Sequence, residues 1–191
     1  MSRNTAVLVA VMCLIAVTSR VLPVFGLPNL SAMGAMMVFC GAVIRNPGFR
    51  FAIPAICLLG TDVLIHLKTG YAYDTSLPFV YLAYALIIGL GHMVRPTSWW
   101  SAALSGLGSS MIFFAVSNFG VWLLWKNTNG NYVYSHTFSG FVNCYEAAIP
   151  FIRGSLMGDV VFCVGFFGLA SLMHVSAVAP SVSRTTLPHQ L

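Results

Sequence analysis

Apolar residues along this chain gather in long runs, at about residues 5–24, 30–44, 51–67, 77–94, 102–125 and 155–174, with short polar or breaker-rich joints between them. A helix that meets its own backbone hydrogen bonds is the standard way to carry such a run through lipid, and a crossing takes roughly 20 residues. The pattern predicts an all-α polytopic membrane protein: one transmembrane domain over residues 1–176 with six spans, then a short cytoplasmic tail over 177–191. The run at 30–44 is short. At about 1.5 Å per residue it falls short of the hydrocarbon layer, so it is expected to sit among neighbouring helices, with the chain around Pro28 and Asn29 dipping inward.

The joints are marked by Pro23 and Pro28, Asn46-Pro47-Gly48, Thr69-Gly70, Arg95-Pro96 and the polar stretch Asn127 to Asn131. Between that stretch and the last run lies a segment, residues 137–153, that is apolar yet carries Asn143, Glu146 and Arg153. It reads as a separate interfacial or re-entrant helix ending at Pro150.

Composition sharpens the membrane reading. Of 191 residues, 58% are hydrophobic and 7% charged, against about a quarter charged in ordinary soluble domains. The net charge of +5 does not point to nucleic acid, because the basic residues are scattered singly and form no patch for phosphates. Each sits near the end of an apolar run, where a long side chain reaches the headgroups. The five cysteines show no C-x-x-C spacing and read as small packing residues. Arg3 followed by an apolar run resembles a signal peptide, but the segment is expected to be retained as the first span.

Charge placement suggests a sidedness. With an even number of spans, one side holds five Lys/Arg and the other four, together with all four acids. The bias is small, and it places both termini in the cytoplasm. Trp99 and Trp100 mark one interface, Trp122 and Trp125 the other.

Candidate chemistry lies toward the outer ends of the runs, where ionisable groups near lipid need a reason to be there. Asp62 and His66 are one helical turn apart, as are Asn118 and Trp122. Asp159 opens the last run, where an acid in the first turn would favour the helix dipole. Arg20 either reaches the surface or faces a cavity. A small-residue stripe at Ala102, Gly106 and Ser110, with Gly34 and Gly41 on the short run, permits close helix contact. No P-loop, G-x-S-x-G elbow or H-E-x-x-H is present. No enzymatic activity, metal or cofactor is expected.

Three segments carry a resemblance: RVLPVFGLPNLSAMGAMMVFCGA at residues 20–42, VSNFGVWLL at 116–124 and CYEAAIPFIRGSLMGDVVF at 144–162. They resemble a family of small bacterial six-span membrane proteins, itself distantly similar to the substrate-binding S components of energy-coupling factor transporters. The resemblance implies six helices with both termini inside the bacterial inner membrane. It also implies an outward cavity capped by the loops after spans one, three and five. Ala6 and Ala10 would contact a transmembrane coupling subunit, and ATPase subunits on other chains would supply energy. S components for nickel and cobalt place His after the initiator Met; here it is Ser2, which argues against a metal substrate.

The expected function is therefore capture of a small vitamin-like or polar nutrient. Arg20, Arg153 and Asn29 would hold an anionic or carbonyl group, and Trp122 and Tyr145 would stack on a ring. Asp62, Glu146 and Asp159 would orient or neutralise the cations, with His66 and Asn118 completing the lining. The alternative is a structural or accessory subunit of a larger membrane complex, with no ligand of its own.

Overall fold

The computed structural model describes residues 2–22, 29–70, 75–94 and 97–175. Among these are six helices: α1 (Arg3–Val21), α2 (Met33–Val43), α3 (Pro47–Thr69), α4 (Leu77–Val94), α5 (Trp99–Leu124) and α6 (Phe138–Leu172). Local chemistry starts most of them. The side chains of Ser2, Asn46, Ser98 and Thr137 accept hydrogen bonds from the first-turn N–H groups of α1, α3, α5 and α6, satisfying donors that have no partner inside the helix. Gly70, with φ 66°, ends α3 in the left-handed conformation that suits glycine.

Five of the helices are long and apolar enough to cross a membrane; α2 is the exception. Their outward faces carry Leu14, Ile56, Leu67, Met93, Leu104 and Val161, all more than half exposed. Water would penalise such a surface, whereas lipid tails do not. The protein is thus a polytopic helical membrane protein.

All eleven residues of α2 are buried. It is about 16 Å long and runs through the middle of the bundle, its Met33, Met36, Met37 and Phe39 packed into one core with Leu8 and Met12 of α1, Leu58 of α3 and Ile87 of α4. Two glycines set the closest approach. A side chain at Gly41 would meet the Ile88 carbonyl of α4, and one at Gly91 of α4 would meet the Val38 carbonyl of α2. The α2–α4 crossing is therefore backbone against backbone, as small residues permit in membrane interfaces. On the other side of the core, Gly106 of α5 lies against the Asp159 backbone of α6.

The last helix corrects the sequence reading. Residues 138–172 form one unbroken α6 of 35 residues that passes through Pro150, rather than an interfacial helix followed by a separate span. Proline removes one N–H, leaving the Glu146 carbonyl without its helical donor. Both Pro150 and Glu146 are exposed, so that carbonyl lies on an outward face, and the apolar neighbours Ala147 to Ile152 continue the helix around it. At about 52 Å, α6 exceeds the roughly 30 Å hydrocarbon layer. Charges at Glu146 and Arg153 are compatible with such a helix because part of it can stand outside the lipid.

Candidate binding cavity

At the N-terminal end of α2 the cap residue Ala32 supplies no side-chain acceptor; Ser31 accepts from the Met33 N–H at 3.4 Å, and other elements take more of the first-turn donors. Ser19 of α1 accepts from the Ala32 N–H at 3.0 Å and donates to the Ala16 carbonyl. The Asp159 carboxylate of α6 faces the Ala35 backbone N–H and accepts a 2.8 Å hydrogen bond from the Ser110 hydroxyl of α5. A buried acid at a helix N-terminus is favoured by the orphan N–H groups and the dipole. At the other end, Arg50 donates to the Ile44 carbonyl at 2.9 Å and to the Arg45 carbonyl at 3.4 Å. The core helix is thus held at its two ends by side chains of opposite charge.

Beside this N-terminal end lies a cavity of about 330 Å³. Ser19 and Arg20 of α1 line it, with Asn29, Leu30 and Ser31 from the segment before α2 and Gly34 of α2. Ile65 of α3, Tyr84 and Ile87 of α4, Phe113 of α5, and Ser155 and Asp159 of α6 complete the wall. A smaller space of about 140 Å³ shares Asn29, Phe113 and Ser155 and extends toward Ser117, Asn118 and Phe151.

One charge pair closes part of the wall. Arg20 Nη1 lies 2.6 Å from Asp62 Oδ1; the same nitrogen donates to the Thr61 hydroxyl and the Leu58 carbonyl. Tyr81 donates to the other Asp62 oxygen at 2.8 Å. Asp62 is buried and Arg20 is one-fifth exposed. This network ties α1 to α3 and α4 and neutralises the cation.

The structure brings Arg20, Asn29 and Asp159 to the main cavity, Asp62 directly behind Arg20, and Asn118 to the smaller space. Asp159 does not open its helix, because α6 begins 21 residues earlier; its carboxylate serves α2 instead. The remaining candidates lie elsewhere. His66, Glu146 and Arg153 are exposed and outside the described lining of either space. The partner of Asp62 is Arg20 of another helix, and Arg153 does not join Arg20 at a shared anion site.

Trp122 and Tyr145 belong to a distinct aromatic cluster. Trp122 packs against Phe119, His136 and Phe141 and donates its indole N–H to the Ser135 carbonyl at 3.0 Å. Tyr145 packs edge-on against Phe114 and tilted against Phe141, and donates to the Ala115 carbonyl. The Trp122 contacts with Ser135 and His136 seat the 126–137 loop on α5. Ala6 is half-buried and Ala10 exposed, on the same outward face as Val7, Val11 and Leu14. Asp74, Arg95 and Arg184, used in the charge tally, lie outside the described residues, as do Pro23, Pro28 and the tail over 177–191.

Several lining residues were not expected. Ser19, Ser31, Tyr84 and Ser155 contribute polar groups to the wall, and Ser109 lies beside the Asp159 carboxylate without lining the cavity. The Ser109-Ser110 doublet and Tyr84, both inside apolar runs, were the available signal, since polar groups at such positions point inward or toward one another.

Fold and site together define a helical membrane protein with a partly polar cavity beside its core helix. The chain belongs to a family of unknown function, DUF6580, whose profile matches residues 1–182. No curated protein and no solved structure matches it.

Proposed function

We propose that the chain is the substrate-capture subunit of a membrane uptake system for a small polar nutrient, working with energy-supplying ATPase subunits on other chains in the manner of S components. The observation that supports this reading is the cavity at the N-terminal end of α2. Its volume of about 330 Å³ falls at the lower end of ordinary small-molecule sites, and its mix of apolar walls with a few directed polar groups is the usual composition of such sites. Five of the six helices contribute lining residues besides α2's own Gly34, so an occupant would touch most of the bundle. The outward face of α1 at Val7, Ala10, Val11 and Leu14 is available to a coupling subunit, with both termini on the cytoplasmic side of a bacterial inner membrane.

Purification of the full chain from its native membrane tests the proposal. A capture subunit brings down ATPase-bearing partners and releases a small molecule on denaturation. Recovery in a stable complex without ATPases, and with no releasable small molecule, would support the accessory-subunit alternative instead.

A further inference from the structure

We propose that the cavity selects a small organic cation, held by the Asp159 carboxylate and the rings of Tyr84 and Phe113. This rests on the reading of the cavity as a ligand site and names the chemical class it takes.

The first step is charge accounting around the cavity. Arg20 and Asp62 form a closed pair, with Tyr81 and Thr61 taking further positions on it. An anionic ligand would have to compete with Asp62 for a guanidinium already engaged at 2.6 Å. Asp159 has no such counterpart: among the described residues it makes no ion pair. Its neighbours are hydroxyl and amide groups, which solvate a carboxylate without neutralising it. A carboxylate in the interior of a bundle carries a desolvation cost that an opposite charge offsets. A ligand cation entering the cavity supplies that charge.

The second step is the shape of the wall beside Asp159. Tyr84 and Phe113 both line the cavity, their ring centroids 5.1 Å apart. Aromatic faces attract cations through the ring quadrupole, and the attraction grows when water is excluded. A cavity that offers one carboxylate and two rings recognises an ammonium or cationic nitrogen heterocycle more readily than a hydrated metal ion, which asks for several oxygen or nitrogen ligands. Among the described residues no group of three His, Cys, Asp or Glu is placed to hold a metal.

The third step is the exclusion of water. Tyr84 lines the cavity yet is only 8% exposed, and Asp159 is buried as well. A cation held between such groups is largely desolvated, which strengthens both its attraction to the ring and its pairing with the carboxylate.

The test uses the purified full chain in lipid nanodiscs and isothermal titration with a fixed panel. The cations are choline, benzylamine, N-methylpyridinium and a thiazolium salt; the anions are benzoate and nicotinate; the neutral compounds are benzyl alcohol and nicotinamide. The expected result is binding confined to one or more cations, weakened at least tenfold by Asp159→Asn and severalfold by Phe113→Leu. Phe113→Leu keeps an apolar wall and so serves as the second test if Asp159→Asn fails to fold. Preferential binding of an anion or a neutral compound, or cation binding that both variants leave intact, overturns the cation assignment while leaving the capture reading in place. Absence of binding by every panel compound, together with no small molecule released from the natively purified protein, overturns both.

Discussion

The Asp159 carboxylate occupies the space that a side chain on Gly34 would need: a Cβ at Gly34 would overlap both carboxylate oxygens and the Ser109 hydroxyl. Glycine at this position is therefore a packing requirement set by α6, in a stretch of α2 where helix propensity alone would favour alanine by about 1 kcal/mol. Gly34→Ala is expected to lower stability by about 1–3 kcal/mol, the range for overpacking a tight interior. Unfolding followed in detergent micelles checks this. Gly89→Ala in α4 is the matched control, since nothing lies within 4 Å of its Cβ position; it should be neutral or slightly stabilising.

The Arg20–Asp62 pair yields a second prediction. Arg20→Ala leaves the buried Asp62 carboxylate without its cation, still accepting from the Tyr81 hydroxyl, and Asp62→Asn removes the charge that holds the guanidinium. Each change is expected to cost roughly 1.5–3 kcal/mol, the range for hydrogen bonds to charged groups. The double variant should cost clearly less than the sum, because the second change removes a group already stranded by the first. Strict additivity in the thermodynamic cycle would show that the two side chains do not act as a pair.

Much of the helical layout was visible in the sequence because lipid imposes a simple rule: backbone groups must be satisfied within the segment, so apolar runs become helices. The short run before Ile44 was readable as a buried piece from its length. The arrangement of the site was not readable in the same way. Asp62 sits one turn from His66 in sequence, yet its partner, Arg20, is 42 residues away on another helix. Such a pairing depends on how α1 and α3 lie together, which periodicity does not encode. Pro150 reads as a helix end, which puts Asp159 in the first turn of a separate span, but α6 runs through the proline. The acid therefore lies deep in the helix and serves α2. Trp122 and Tyr145 have the right chemistry for stacking on a ligand, and their place in an aromatic cluster with Phe114, Phe119 and Phe141 depends in the same way on how α5 and α6 lie together.

Continuity of α6 through Pro150 has its own consequence. Replacing Pro150 with alanine restores an N–H that can donate to the Glu146 carbonyl, and removes a ring that crowds the preceding turn. Interior proline costs about 3 kcal/mol in a helix, and part of that should be recovered, so Pro150→Ala is expected to be neutral or stabilising. Hydrogen exchange across residues 140–156 should show protection rising on both sides of the site. A loss of stability, with exchange unchanged, would mean that the two halves of α6 need the bend that proline gives.

Arg50 carries the most direct test of how the core helix is held. Its guanidinium reaches the buried Ile44 carbonyl and that of Arg45, at the end of α2 where the dipole is negative and carbonyls lack intrahelical donors. Arg50→Met keeps most of the apolar stem while removing the donors, so packing loss is small and the unpaired carbonyls dominate. A buried acceptor left without a partner costs about 1–3 kcal/mol, and the lost charge–dipole attraction adds to that. Arg50→Lys should fall between the two, because a single ammonium on a flexible stem cannot span both carbonyls as a planar guanidinium does. The exposed neighbour Arg45 provides the contrast: Arg45→Met removes a cation of the same kind but leaves its own backbone carbonyl in place, and should change stability by less than about 0.5 kcal/mol. Chemical unfolding of the three variants beside the parent protein gives the order. If Arg50→Met and Arg45→Met are equally mild, the cation at position 50 serves the membrane surface and α2 is held by packing alone.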